Sequence, residues 1–142
     1  MKDLDLSKEE LEACKKRIVE AVQRFVEDTG VKGAVVALSG GVDSALVAAL
    51  ANMALVDKLS ALIMPEVGVT KEEDIEHAIT LAKERGIPYR IIELNEVLDA
   101  VRRAYPELLD ISRGVLARAN LAPRGRMLFN YAVSNMEDLI VL

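Results

Sequence analysis

Apolar residues recur along this chain with two different periods, and the two periods alternate. Leu11, Cys14, Ile18, Val22 and Phe25 fall three or four apart, the spacing of an amphipathic helix. Ser7 and Glu10 stand at capping-box spacing ahead of it, and Gly30 is placed to end it. Residues 31–38 (VKGAVVAL) form a short apolar run, expected as a buried strand, and 42–54 a near-continuous apolar run, expected as a buried helix. A second strand is predicted over 59–64 (LSALIM), stopped by Pro65. Thr70 and Glu73 repeat the capping-box spacing before a helix through Ile75, Ala78, Ile79 and Ala82 that ends at Gly86. A third strand is predicted over 88–94 (PYRIIEL), then a short helix over 95–104, a stretch without clear period over 105–120, a helix over 121–135 and a last apolar run, DLIVL, over 138–142.

Strands that alternate with helices imply parallel pairing with helices on both faces, joined by right-handed crossovers. The expected fold class is therefore α/β, a doubly wound parallel sheet of about four strands in one domain over 1–142. In such sheets ligands bind just beyond the carboxyl ends of the strands. The fourth strand reaches that end at Leu142, so the sequence stops where a functional loop is expected to begin.

Composition narrows the function classes. The chain has 142 residues, 51% apolar, which is enough for one core. It has no Trp and only 4% aromatic residues, which argues against a stacking platform for single-stranded nucleic acid. The net charge of −5 argues against a general polyanion binder. Six of ten arginines nevertheless fall between Arg102 and Arg126, an excess suited to a small anionic ligand. Cys14 is the only cysteine, which excludes an internal disulfide and a thiolate cage and reads as a small core hydrophobe. No charged-then-apolar leader and no run of membrane-span length is present, so a soluble cytoplasmic protein is expected, with no nucleic acid or membrane partner.

The chemistry concentrates in ALSGGVDSALVAAL, residues 37–50. A glycine pair directly after a strand permits backbone conformations that other residues resist and lets amide N–H groups converge as a nest for an anion. The helix that follows adds its positive end and unpaired donors. Ser39 and Ser44 can add hydroxyl hydrogen bonds. Asp43 would repel a bare phosphate, so its presence suggests a bridging cation, and Mg2+ shared by one carboxylate and phosphate oxygens fits. The stretch is neither common phosphate loop: Asp43-Ser44 replaces the Walker Lys-Ser/Thr, and Ser44 stands where the dinucleotide fingerprint needs its third glycine. A tight strand–helix turn with Ser39 or Asp43 as helix cap is the structural alternative.

Other candidates are weaker. His77, the only histidine, lies among Glu72, Glu73 and Glu76 and reads as a solvated surface residue. Glu66 falls at the carboxyl end of the second strand, where it could border a ligand, and reads as a surface loop acid. Tyr105 and Tyr131 read as packing residues with hydroxyls at the surface. Arg124 and Arg126 are two apart, so on a helix they diverge by about 200° and cannot serve one spot. No Ser-His-Asp order, paired-carboxylate signature or metal-spaced His/Cys cluster is found.

SGGVDS after an apolar strand resembles the pyrophosphate loop of the ATP pyrophosphatases, whose fold is of the HUP type. The amphipathic helix before GAVVALSGGVDSALVAALA, the segment ALIMPEVGVTKEEDIEHA and the segment NLAPRGRM over 120–127 narrow the similarity to the ammonia-dependent NAD synthetases. The resemblance covers essentially the whole chain. It implies an enzyme that adenylates deamido-NAD with ATP, releases pyrophosphate, and lets ammonia displace AMP to give NAD. It further implies that Ser39, Gly40, Gly41, Val42, Asp43 and Ser44 hold the ATP phosphates and that Asp43 ligates Mg2+. Backbone near Ala37, Leu38 and Met64 would border the adenine. Asn120, Arg124 and Arg126 would face deamido-NAD in a homodimer, with Arg126 favoured for the substrate.

Two departures stand out. Ala122-Pro123 replaces the family's Lys-Ala before the first arginine, removing one positive charge. The family also continues past the fourth strand into a Gly-Thr-x-Asn-Lys-x-Glu segment with further ATP, metal and phosphate ligands, so the sequence corresponds to an amino-terminal half. Little turnover is expected without those groups. Three alternatives stay open: a short non-catalytic ATP- or AMP-binding module, a GMP synthetase-like amidation domain and a tRNA-thiolation-like domain. The sequence also leaves open a glutaminase partner as the nitrogen source.

Overall fold

A computed structural model describes residues 6–142. Ten elements carry the fold: α1 (Lys8–Thr29), β1 (Gly33–Leu38), α2 (Val42–Leu55), β2 (Leu59–Ile63), α3 (Glu72–Glu84), β3 (Tyr89–Ile91), α4 (Asn95–Ala104), α5 (Val115–Ala119), α6 (Leu121–Glu137) and β4 (Leu139–Val141). The four strands form one parallel sheet in the order β3-β2-β1-β4. The expected α/β class is borne out, and the strand order reverses direction at β1. That reversal makes the carboxyl ends of the central strands the place for a ligand.

Alternation along β1 divides the core. Ala34, Val36 and Leu38 pack with Ala48, Ala51 and Leu55 of α2, Val26 of α1, and Ala78 and Ala82 of α3. Val35 points to the other face, where Leu62 and Met64 meet Leu94, Leu98 of α4 and Val133 of α6. The sheet is thus covered by α1, α2 and α3 on one face and by α4 and α6 on the other.

The first helix starts with the expected capping box: the Glu10 amide donates to Ser7 Oγ at 3.2 Å, and the Ser7 amide donates to Glu10 Oε2 at 2.8 Å. The amide bond holds the Glu10 carboxyl below its usual range. Gly30 ends the helix in the left-handed conformation at φ 72°.

Several expectations are corrected. Cys14 is exposed rather than in the core. Leu11, Ile18 and Phe25 are exposed with it, because α1 turns the Val19, Val22 and Val26 side of a broad apolar arc toward the sheet. The second helix is not buried all round: Ala48, Ala51, Ala54 and Leu55 join the core, while Val42, Leu46, Val47 and Met53 are exposed. Thr70 and Glu73 form no capping box. Helix α3 begins one residue later, after Lys71 with no side-chain cap, and the Thr70 hydroxyl instead accepts from the Glu66 amide at 3.0 Å. The third strand is cut to Tyr89–Ile91, and Tyr105 and Tyr131 lie more than half exposed. The stretch over 105–120 holds a single 3-10 turn, Pro106–Leu109, and the short helix α5. His77 is exposed, as expected. Among the described residues no helix is long and apolar enough to cross a membrane.

Candidate functional site

The site begins where β1 ends. Gly40 adopts φ 84°, and a Cβ placed on it would come within 2.1 Å of the Asp74 carbonyl oxygen. Only glycine meets both demands, so the residue lets the loop turn and lets the start of α3 close over it. The loop then enters α2 with Gly41 as its amino-terminal cap, and neither Ser39 nor Asp43 caps that helix.

The two serines shape the loop from within. The Ser39 amide donates to Ser44 Oγ at 3.2 Å, the two hydroxyls meet at 2.9 Å, and Ser44 Oγ donates to the Gly41 carbonyl at 3.0 Å. The Gly41 amide donates to Ser39 Oγ at 3.3 Å. No acceptor among the described residues meets the backbone amides of Gly40, Val42 and Asp43. These amides lie on a positive helix end, the arrangement that binds anions. Asp43 stands in the first turn of α2, exposed and without an ion-pair partner among the described residues.

A cleft opens beside this loop. Ala37, Leu38 and Ser39 form one wall, Ile63, Met64 and Pro65 the next, and Asp74 and Arg126 reach it from α3 and α6. Met64 is buried, and its carbonyl accepts from Arg126 Nε at 3.1 Å. The lining is mainly apolar with one cation, Arg126, and one acid, Asp74, and a cleft of this kind suits a flat heterocycle.

The structure brings the expected nucleotide residues together. Ala37, Leu38, Ser39 and Met64 line one cleft, and Gly40 to Ser44 follow Ser39 in the loop that leads into α2. The three residues expected at a second substrate divide. Arg126 joins the cleft beside the loop, whereas Asn120 and Arg124 line a separate open groove with Val101, Arg113 and Leu121. Arg124 Nη1 donates to the Asn120 carbonyl at 3.1 Å, and Asn120 Nδ2 donates to the Leu116 carbonyl at 2.9 Å. The helical divergence read from spacing is what separates the two arginines.

Sequence reasoning missed the β2–α3 side of the cleft. Thr70, Asp74 and Ile75 line it, and Glu66, read as a surface acid, is only 9% exposed and paired with Arg102 Nη2 at 2.7 Å. The available signal was topological, since the segment after β2 also leaves a carboxyl end beside β1. Among the described residues no group of three or more His, Cys, Asp or Glu side chains could hold a metal. A Mg2+ ion fits here only as a partner of Asp43 and of phosphate oxygens, the usual way that ion binds at phosphates.

Comparison with known proteins agrees with this geometry. An ammonia-dependent NAD(+) synthetase of Archaeoglobus fulgidus is 41% identical over 126 residues, which are 88% of this chain and 49% of that protein. An NH3-dependent NAD synthetase from Campylobacter jejuni, in complex with nitrate ion, has a TM-score of 0.81 at 30% identity over 92% of this chain and 54% of its own. A glutamine-dependent NAD+ synthetase from Acinetobacter baumannii, in complex with ADP, has a TM-score of 0.84 at 27% identity over 89% of this chain and 24% of its own. The chain spans about half the length of the curated relatives it matches. The family model for NAD synthase matches residues 14–142, and the chain belongs to the NAD synthase family.

Proposed function

We propose that this chain forms the ATP-binding wall of an AMP-forming carbon–nitrogen ligase that makes NAD from deamido-NAD. The observation that carries the reading is the set of amides at Gly40, Val42 and Asp43 that meet no acceptor among the described residues, next to a mainly apolar cleft between β1 and β2. The adenine would lie between Ala37, Leu38 and Met64, and the phosphates would run over Ser39 to Ser44. Bound ADP in the glutamine-dependent relative supports a nucleotide in this fold.

The chemistry follows from that placement. A deamido-NAD carboxylate oxygen bonds to the ATP α-phosphorus as the bond to the leaving pyrophosphate breaks. Ammonia then bonds to the acyl carbon, loses a proton and displaces AMP. The loop amides and the α2 amino terminus stabilise charge on the phosphate oxygens as it builds. Asp43 would hold Mg2+, which supplies positive charge against the polyphosphate. Asn120, Arg124 and Arg126 are proposed for deamido-NAD, with Arg126 able to reach the nucleotide because it already lines its cleft.

Turnover belongs to a protein of the family's full length, and residues 1–142 alone would bind nucleotide with little synthesis. Free ammonia is the proposed nitrogen source, in line with the ammonia-dependent relatives, and a glutaminase partner is the alternative. Exposed Met127, Leu128, Tyr131 and Met136 on α6 favour association into a homodimer. A cytoplasmic location goes with this reading. The family match speaks against the GMP synthetase-like and tRNA-thiolation-like alternatives.

Titration calorimetry with ATP tests the reading, run with and without Mg2+. Magnesium-dependent binding, together with NAD formation from ATP, deamido-NAD and ammonia by a full-length form, is expected. Absence of nucleotide binding would reject the proposal. Binding without synthesis by the full-length form would favour the non-catalytic module.

A further inference from the structure

We infer that Glu66 and Arg102 act as a positioning pair, holding the loop over 65–71 as a fixed rim of the nucleotide cleft. The inference rests on the nucleotide reading above and adds residues that touch no ligand. Pro65 and Thr70, at the two ends of this loop, line the cleft, so its shape depends on where the loop lies.

The loop is tied down at Glu66. Its amide donates to Thr70 Oγ1 at 3.0 Å, and its carbonyl accepts from the amides of Val69 at 3.0 Å and Thr70 at 2.8 Å. The carboxylate leaves the loop and meets Arg102 Nη2 of α4 at 2.7 Å. Arg102 Nη1 in turn donates to Asp99 Oδ1 at 2.8 Å, which fixes the guanidinium from the other side. Asn95, at the start of α4, brackets Val67: its Oδ1 accepts from the Val67 amide at 2.8 Å, and its Nδ2 donates to the Val67 carbonyl at 3.0 Å. The Leu94 amide donates to the Pro65 carbonyl at 2.9 Å. One side of the cleft is thereby fastened to the helix beneath the opposite face of the sheet.

The electrostatics give the pair a second task. A carboxylate as buried as Glu66, next to a cleft meant for a polyanion, would repel the ligand and be costly to desolvate if left alone. Arg102 cancels that charge. Apolar residues of similar volume often replace such a pair at no cost in stability. What the pair adds is a single allowed position for Thr70 and Pro65.

The test compares the unaltered chain with Glu66→Leu/Arg102→Met, Glu66→Gln and Arg102→Lys. The readouts are ATP affinity by calorimetry, thermal melting, and amide hydrogen exchange at Val69 and Thr70. The double variant should melt within a few degrees of the unaltered chain, yet bind ATP about tenfold more weakly, the cost of re-ordering one or two released side chains on binding. Its Val69 and Thr70 amides should exchange faster, and Arg102→Lys should restore part of the affinity. Unchanged affinity in a folded double variant overturns the inference. If that variant does not fold, Glu66→Gln decides in its place by the same loss or its absence. Should the unaltered chain bind no ATP while the double variant still frees those amides, the nucleotide reading fails and the loop anchoring stands apart from it.

Discussion

Replacing Gly40 by alanine puts the loop geometry to its hardest test. Gly40 sits at φ 84°, and its added Cβ would lie 2.1 Å from the Asp74 carbonyl oxygen and 2.7 Å from the Asp74 carbonyl carbon and Cα. Those atoms are backbone at the start of a helix and cannot swing aside as a side-chain tip can. The left-handed conformation costs an L-residue about 1–2 kcal/mol. Forcing a methyl into a packed contact costs about 1–3 kcal/mol more. The sum of about 2–5 kcal/mol corresponds to roughly 4–20 °C in Tm for a domain of this size. Gly41→Ala is the control: its φ is −82°, and the nearest atom to the added Cβ is Ser39 Oγ at 3.4 Å. There the expected loss is the cap preference of glycine over alanine, at most about 1 kcal/mol. Thermal and urea unfolding of both variants measure the difference. Equal Tm values for Gly40→Ala and Gly41→Ala would show that α3 does not close on the loop, and the site as drawn would be wrong.

Three further outcomes follow from named side chains. Asp43→Asn should shift stability by no more than about 1 kcal/mol, since the exposed carboxylate gains only from the helix end, yet should abolish the Mg2+-dependent part of ATP affinity in calorimetry. The same loss with and without Mg2+ would contradict the metal role. Arg126→Met removes the donor to the buried Met64 carbonyl and should lower the unfolding free energy by about 1–3 kcal/mol in urea titration; no change would mean that the contact is not kept in solution. The Asp110 carboxyl is held down at about 2, first by the Arg113 amide, then by the hydroxyl and amide of Ser112. Because its folded value lies below the unfolded one, near 3.9, its contribution is complete above about pH 4 and fades as pH falls through about 2. Carbon-13 titration of that carboxyl should give a midpoint near 2, and a midpoint near 4 would show that the turn is open.

Period and punctuation carried most of the architecture. The alternation of apolar runs placed the four strands and the long helices because the central strands β1 and β2 are buried on both faces and the helices that cover them each have an apolar side. The glycine pair after β1 marked the loop, since a left-handed residue against a backbone carbonyl leaves few alternatives to glycine. What period cannot tell is how wide an apolar arc a neighbour covers. Cys14 and Phe25 share a stripe with Val22, and only the packing against α2 and the sheet decides that Val22 is half-buried and Cys14 exposed. Glu66 was misread for a related reason: its partner Arg102 is 36 positions away, and no local rule joins them. The turn from Asp110 to Gly114 is by contrast built locally, closed by the Asp110 carboxylate on the amides of Ser112 and Arg113 and by Arg118 donating to the Leu108 and Asp110 carbonyls.

The division of the two arginines has a consequence for a reaction between two large substrates. Adenylation needs the α-phosphate of one nucleotide and the carboxylate of another within bonding reach, so the two binding places must share a wall. Helix α6 is the element that borders both the proposed nucleotide cleft and the open groove, through Arg126 on one side and Arg124 on the other. Between them stands Gly125, where a Cβ would come within 3.3 Å of Leu98 Cδ2, so the helix lies close against α4 at this point. The same α4 carries Arg102 and begins at Asn95, the two side chains that fasten the cleft rim. On the proposed reading, α4 is therefore the common foundation: it fixes the rim from one end and seats α6 at the other. The distance between the two substrates is then set by helix packing rather than by the loops that touch them.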